Sequence, residues 1–507
     1  MSRLVNHISS FFPKLQSDFK ITGDEVFSEV YKGDFYENIP FDKYINKNIS
    51  VPTENIYSVL SFGALPNNAN INNADAINST ILKCSENGGG IVLVEGGAFT
   101  TGTVFLKSNV AVFITKESSL VASHNPEDFV HNTLTPDNRE DYIKNGLIVA
   151  QNCDNIAVLG PGKICGEGNF YSIKPHLPPK TEPFRKALDV WDMRQEYRKR
   201  IRFAHKSKYG FLVHFQNCEQ VRVSNIILEN SAFWTLNINN CNDVSVTNTI
   251  INNNRHIANS DGIDVSGSSN VTIENCFVST GDDGIVIKNS HDIACKRSMN
   301  NVYVRNCEVI SCTNAFKIGT ESSLDISDIT VENCKFYLND IFPAAASGIS
   351  IESCDGSVVS KVNIRNIEID SMACPVFIRL NNRNRNHLPE LESRGELKNI
   401  NISSVKAKNA EIPIMIMGIP TQKVKDVYLR DISVKYAPGK DYRDFRLKVP
   451  EQEREYPESN RFRNLNAYGI FVRHAENISV EKLKVIPRDN TKRKFKIISD
   501  CKNFNIK

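Results

Sequence analysis

Over most of the chain, apolar and polar positions alternate in short runs that repeat. A recurring phrase reads Asn-Cys, two or three polar residues, alternating apolar residues, then Asn: NCEQVRVSNIILENS (217–231), NCNDVSVTNTIINNN (240–254), SNVTIENCFVSTGDD (269–283), NNVYVRNCEVISCT (300–313) and SDITVENCKFYLND (327–340). Later copies include SKVNIRNIEIDS (360–371), LKNINISSVKAKNA (397–410), VKDVYLRDISVKYAP (424–438) and ENISVEKLKVI (476–486). Period-two alternation broken by polar turns predicts two short strands per phrase. Val221 to Val244 spans 23 residues and Val244 to Val271 spans 27. A variable, coil-sized period with β-branched residues inward and Asn at corners predicts an all-β fold, a single-stranded right-handed parallel β-helix, or solenoid.

Ahead of the repeats, Ala74, Ile77 and Ile81 have helical spacing. They predict an N-terminal capping helix over the open end of the solenoid, which would otherwise expose an aggregation edge. Residues 1–55 are less regular and read as an N-terminal extension packed on that end. Residues 56–507 read as the β-helix domain, interrupted by an insertion at about 172–208 and a loop at about 439–466.

Composition narrows the class. The chain has 507 residues, 40% hydrophobic and 23% charged, with a formal net charge of +3. A sizeable core is available, and no apolar run reaches the ~20 residues of a membrane span. The opening MSRLVNHISSFFPKLQSDF has no continuous apolar stretch, so a cytoplasmic location is expected. Thirteen cysteines without paired CxxC spacing fit free thiols packed as small apolar residues in a reducing compartment. Neither a metal nor another cofactor is expected. The basic run Arg194–Lys208, just after Trp191, reads as a solvated surface helix or as a wall of a cleft. Nucleic acid is a poor partner for so small a net charge without a stacking platform.

The chemistry concentrates between Asn259 and Lys288. Asn-Ser-Asp-Gly-Ile-Asp (259–264) and Gly-Asp-Asp-Gly-Ile-Val-Ile-Lys (281–288) each lead into an apolar segment. Asp261 and Asp282 lie 21 residues apart, about one coil, and neighbouring coils stack ~4.8 Å apart. Asp261, Asp282 and Asp283 would then cluster. Asp-Gly is also an ordinary turn sequence that caps backbone amides. Clustered carboxylates, however, suit acid and base work on a glycosidic bond, because crowding keeps one protonated while another stays ionised.

Further residues carry a resemblance over roughly 57–486: Phe62-Gly63-Ala64, Gly88-Gly89-Gly90, Thr101-Gly102, Leu106-Lys107-Ser108-Asn109, Asn230-Ser231 with Phe233-Trp234-Thr235, the two Asp motifs, Tyr456-Pro457-Glu458 and Ala467-Tyr468-Gly469 with Arg473-His474. In these the chain resembles the family 28 glycoside hydrolases, the polygalacturonase family, in its bacterial branch. The resemblance implies an inverting hydrolase in which Asp282 protonates the leaving oxygen while Asp261 and Asp283 hold and activate water. Inversion leaves room for that water, with acid and base roughly 6.5–9.5 Å apart.

Two departures from the family bear on substrate. Where polygalacturonases carry a Gly-His-Gly turn, this chain has Thr313-Asn314-Ala315, and where they carry Arg-Ile-Lys it has Ser350-Ile351-Glu352. A hydroxyl and an anion suit a neutral sugar better than a uronate. Lys317 and Glu321 are expected on the same groove, and Lys317 or Arg379 is available to replace the missing cation or to pair with Glu352. Lys288 is read as a substrate contact or a salt-bridge partner. Asn314, Ser350, Glu352, Tyr456, Arg473 and His474 complete the candidate substrate-binding set. The expected activity is therefore exo-acting hydrolysis of pectin-derived oligosaccharides, rhamnogalacturonan-type or carrying modified uronates. A β-elimination lyase and a non-catalytic carbohydrate-binding β-helix are the alternatives, and oligomeric state is left open.

Overall fold

The computed structural model describes residues 39–48, 54–129, 146–173, 204–205, 210–338, 345–385, 387–439, 441, 449–462 and 465–507. Most of the insertion at 172–208, including Trp191 and nearly all of the basic run, lies outside them, as do residues 1–38.

Thirty-one of the described strands join one continuous parallel arrangement. Each central coil contributes three of them. Phe211–Gln216, Glu219–Ser224 and Ile227–Glu229 pair in parallel with Leu236–Asn239, Asn242–Thr247 and Ile250–Asn252 of the next coil. The repeating phrase thus accounts for two faces of the right-handed β-helix. The third face, carried by Phe211–Gln216 and its successors, begins directly after the Asp motifs.

Parallel stacking puts like residues in columns. Val221, Val244, Val271, Val302, Ile329, Val362, Ile400, Val427 and Ile478 follow one another in register. None of them is more than 2% exposed. Each such side chain contributes about 1.5–3 kcal/mol through removal of apolar surface from water. Spacing along this column can vary from 23 to 51 residues without disturbing it, because extra residues leave the helix as loops.

The Asn-Cys pairs turn the corners. Asn217, Asn240, Asn275, Asn306 and Asn333 adopt φ between 52° and 55°, the left-handed region in which Asn is tolerated better than most side chains. The following cysteines then point inward and are buried, and all thirteen cysteines are free thiols.

The helix Ala74–Glu86 buries Ala74, Ile77, Thr80, Ile81 and Cys84 against the first strands, as the sequence spacing predicts. The described part of the N-terminal extension lies elsewhere than expected. Asn46 exchanges hydrogen bonds with Asn225, the Tyr44 hydroxyl donates to Glu308 at 3.2 Å, and the Tyr44 ring meets Phe277 at 5.9 Å. This segment is strapped along the flank of the central coils instead of on the solenoid end.

Asn306 is exposed, and among the described residues its side chain meets no polar partner that would confuse a backbone test. We expect Asn306→Gly to be nearly neutral and Asn306→Ala to lose about 1 kcal/mol, the cost of placing Cβ in a left-handed corner. Urea midpoints would measure it, and equal stability of the Ala and Asn proteins would refute the corner argument.

Candidate active site

Asp261 and the pair Asp282-Asp283 each stand two or three residues ahead of a third-face strand, Ile263–Ser266 and Ile285–Asn289. Ile263 pairs with Ile285, so two residues earlier Asp261 is level with Asp283. The coil here is therefore 22 residues long, not the 21 expected, and Asp282 sits one position towards the turn. The glycines of both motifs make this stacking possible. A Cβ on Gly262 would lie 2.5 Å from the carbonyl oxygen of Gly284, and one on Gly284 would lie 2.5 Å from that of Ala315.

The three carboxylates have different surroundings. Asp282 is partly exposed; its Oδ2 accepts from the Asn259 amide at 2.9 Å and its Oδ1 from the Asp283 amide at 3.0 Å. Asp283 is buried among donors. Its Oδ1 accepts from the Thr313 hydroxyl at 2.6 Å, the Asn314 amide at 3.1 Å and the Asn314 side chain at 2.8 Å, and its Oδ2 from Lys317 at 3.1 Å. Asp261 is buried too, with Oδ2 3.3 Å from Lys288 Nζ, while Oδ1 meets no donor among the described residues. Burial holds the Asp261 carboxyl well above the usual carboxylate range; Lys288 opposes this, and the negative charge of Asp264, Asp282 and Asp283 reinforces it.

Lys288 bridges Asp261 and Asp264, lying 2.8 Å from Asp264, with the Trp234 ring 3.5 Å from its ammonium. Burial alone would lower its pKa, but Asp264 and Asp261 more than compensate and keep it a cation. Asp264 is pushed up to about 6 by burial, against the pull of Lys288. Neither Asp264 nor Trp234 is in the sequence-derived site. Alternation could have found Asp264, since it is the charged outward position between the inward Ile263 and Val265.

Lys317, on the next coil, reaches Asp283, the Tyr456 hydroxyl at 3.1 Å and Glu352 Oε2 at 3.9 Å. Glu352 is fully enclosed: the Ser350 hydroxyl donates to Oε1 at 2.7 Å and the Thr320 hydroxyl to Oε2 at 2.9 Å. Ser350 and Glu352 are therefore tied to each other and to Lys317, which corrects the expectation that they present polar groups to a sugar. Glu321 sits in ion pairs with Arg383 at 3.8 Å and Arg385 at 3.9 Å, and its charge acts on Asp264, Lys288 and Tyr456. Simple alternation from Lys317 does not place it. Ile287 pairs with Ile318 but Asn289 with Ser322, so two extra residues intervene.

Arg379, Arg473 and His474, expected to face a sugar, are buried and engaged by the protein itself. Arg379 does not pair with Glu352; it donates to the carbonyls of Gly418, Glu451 and Gln452 at 2.9, 2.6 and 3.0 Å. Arg473 donates to Val449 and Pro450, and His474 bridges Glu451 and Asp500. Together they pin residues 449–452, and that strap delivers Tyr456 to Lys317. Tyr456 is 38% exposed, the aromatic surface available to a ligand at this place.

A β-helix with clustered carboxylates on one face defines a carbohydrate-processing class of protein. The model for glycosyl hydrolases family 28 matches residues 127–447, well over half of the chain, and the chain belongs to that family: it is a glycosidase. A probable polygalacturonase from Vitis vinifera is 22% identical over 399 residues, covering 75% of this chain and 74% of the relative. The family 28 exopolygalacturonase of Yersinia enterocolitica superposes with a TM-score of 0.63 at 18% identity, covering 89% of this chain and 78% of that one. The exopolygalacturonase of Thermotoga maritima gives 0.59 at 20%, covering 81% and 91%. At those identities the two structures establish the fold.

Burial raises the Glu352 pKa to about 7, against Lys317, Ser350 and Thr320. An acid whose folded pKa is raised stabilises the fold below its unfolded pKa, and that contribution is lost as pH rises towards 7. Glu352→Gln should therefore shrink the stability lost between pH 5 and pH 7 by about 1–2 kcal/mol. Urea unfolding at the two pH values measures this, and an unchanged difference would exclude Glu352 as a buried proton carrier.

Proposed function

We propose that the protein is an inverting hydrolase of pectin-derived oligosaccharides, acting from a chain end, with Asp282 as general acid and Asp261 and Asp283 holding the attacking water. The observation that carries this reading is the asymmetry of the trio: Asp282 is partly exposed, while Asp261 and Asp283 are buried and level behind it. In this reading Asp282 gives its proton to the glycosidic oxygen as the bond to the anomeric carbon breaks. Water attacks from the opposite face and yields a proton to Asp283, all of whose described polar contacts are donors. Asp261 Oδ1, without a donor among the described residues, orients the water.

The substrate class rests on relatives named polygalacturonases and on charge. Five carboxylates (Asp261, Asp264, Asp282, Asp283 and Glu352) face two lysines, and each lysine already has two of them within 4 Å. A further uronate carboxylate beside Lys317 would meet a cation already neutralised. That favours a neutral or modified residue there, as in rhamnogalacturonan fragments, over plain polygalacturonate. The strap that brings Tyr456 to Lys317 is read as a wall at one end of the groove, in keeping with chain-end action. Thirteen free thiols support a reducing, cytoplasmic setting in which imported oligosaccharides are the substrate.

We expect wild type to release a sugar of inverted anomeric configuration from one member of a pectic panel, from oligogalacturonate to rhamnogalacturonan fragments. Asp282→Asn should lose about 10²–10⁴ in kcat, as expected for a general acid. Mass spectrometry and anomeric NMR read the products. Ultraviolet-absorbing unsaturated ends would mean a lyase, and cleavage of no member, or equal cleavage by the variant, would remove the assignment.

A further inference from the structure

Asp264 has no part in the mechanism above, yet it is a fully buried carboxyl beside the reacting groups. It stands one coil before Lys288: Asp264 pairs with Val286 and Ser266 with Lys288, so the lysine side chain reaches back diagonally to it. The ammonium lies 2.8 Å from Asp264 Oδ1 and 3.3 Å from Asp261 Oδ2, with the Trp234 ring 3.5 Å away. The three side chains are 4%, 0% and 4% exposed for Lys288, Asp264 and Asp261. One cation therefore serves two carboxyl groups that water barely reaches. With both ionised, a net negative charge would be stranded out of water, and the trio relieves this by keeping a proton.

Each carboxyl group has an oxygen free to carry that proton. Asp261 Oδ1 and Asp264 Oδ2 both meet no donor among the described residues. Charge decides between them. Asp264 makes the shorter contact with the ammonium, whereas Asp261 lies among the negative charges of Asp264, Asp282 and Asp283. The other charged groups do not reverse this order. Lys317 is engaged by Asp283 and Glu352, and the charge of Glu321 acts on Asp264 and Lys288 together. His214, two coils back along the outward column behind Asn237, is held neutral by burial. The turn bearing Arg255 and His256 packs on Gly281, and Ile293 and the Cys295 thiol pack with Trp234.

We propose that Asp264 is a positioning residue: it draws the Lys288 ammonium to itself, so that the Asp261 carboxyl stays protonated beside the attacking water. Water held by a neutral Asp261 has one base to which it yields its proton, Asp283. What the proton is used for rests on the hydrolase reading above; where it resides does not.

The test compares Asp264→Asn, which keeps the shape and removes the competing charge, with Lys288→Met, which removes the cation. Infrared difference spectra across pH 4–8 read the carbonyl stretch of a protonated carboxyl without turnover, and its loss in Asp261→Asn assigns the band. The Asp261 band should persist to neutral pH in wild type. In Asp264→Asn, Lys288 turns wholly to Asp261, and the band should vanish at a pH lower by about one unit, a tenfold loss of proton affinity. In Lys288→Met it should vanish at a higher pH than in wild type. A merely structural role would loosen the site and move both variants the same way, towards the ordinary carboxylate range. The alkaline limb of kcat, on whichever panel substrate wild type cleaves, should fall to lower pH in Asp264→Asn with KM little changed. Should Lys288→Met fail to fold, Asp264→Ser must shift the band as Asp264→Asn does. Absence of the Asp261 band from wild type at neutral pH, or identical titration in wild type and Asp264→Asn, would overturn the proposal. A shifted band in a chain that cleaves nothing would support the proton assignment and reject only the hydrolase.

Discussion

Two buried ammonium groups hold four carboxylates in one place. Breaking a buried ion pair by removing one partner typically costs about 3–5 kcal/mol, because the remaining charge is stranded out of water. Lys288, under the Trp234 ring, serves Asp261 and Asp264, and Lys317 serves Asp283 and Glu352. Burial raises the carboxyl groups of Asp261, Asp264 and Glu352 above the ordinary range, and the lysine beside each opposes the rise. An acid and a base can therefore coexist on one face without a metal having to be invoked for charge balance.

The solenoid dictates this crowding. Successive coils stack in parallel register, so whatever stands at one position is a strand's spacing from its counterpart on the next coil. On the third face one outward column runs Asn237, Asp264, Val286, Lys317 and Ser350, while the column of Asp261 and Asp283 continues to Asn314 and Ser347. Charges in such columns cannot move apart along the strand. They are tolerated only when the next coil supplies the opposite sign or a hydrogen-bond donor. Lys317 and Thr313-Asn314 do this for Asp283. The aromatic surface comes from outside the stack, on a strap that Arg379 and Arg473 hold by its carbonyl groups. Backbone carbonyls are a firm attachment for arginine because its planar fork can meet several of them at once.

This explains which features were legible in the sequence. The Asn-Cys corners, the inward valines and the capping helix follow from local chemistry: a left-handed corner wants Asn, an inward position wants a β-branched residue, and a helix shows its period. The Asp cluster was legible because coil length can be counted, and the error of one residue arose because turn residues do not obey strand alternation. Lys317 was placed on the groove by strand alternation, which does not by itself fix the position of Glu321. Alternation holds up to Ile318 and is then broken by two extra residues. Arg379, Arg473 and His474 share the polar signature of substrate contacts, and their role in holding 449–452 depends on contacts 23 to 73 residues away along the chain. No local pattern encodes such distances.

The same geometry alters the meaning of the departures from the family pattern. Considered alone, Ser350 and Glu352 suggest a changed face towards the sugar. In the folded chain they lie beneath that face, and their effect is transmitted through Lys317. With an anion placed behind it, Lys317 spends its charge inward, on Glu352 as well as Asp283. The substitution thus changes the charge behind Lys317 from a position enclosed beneath the face.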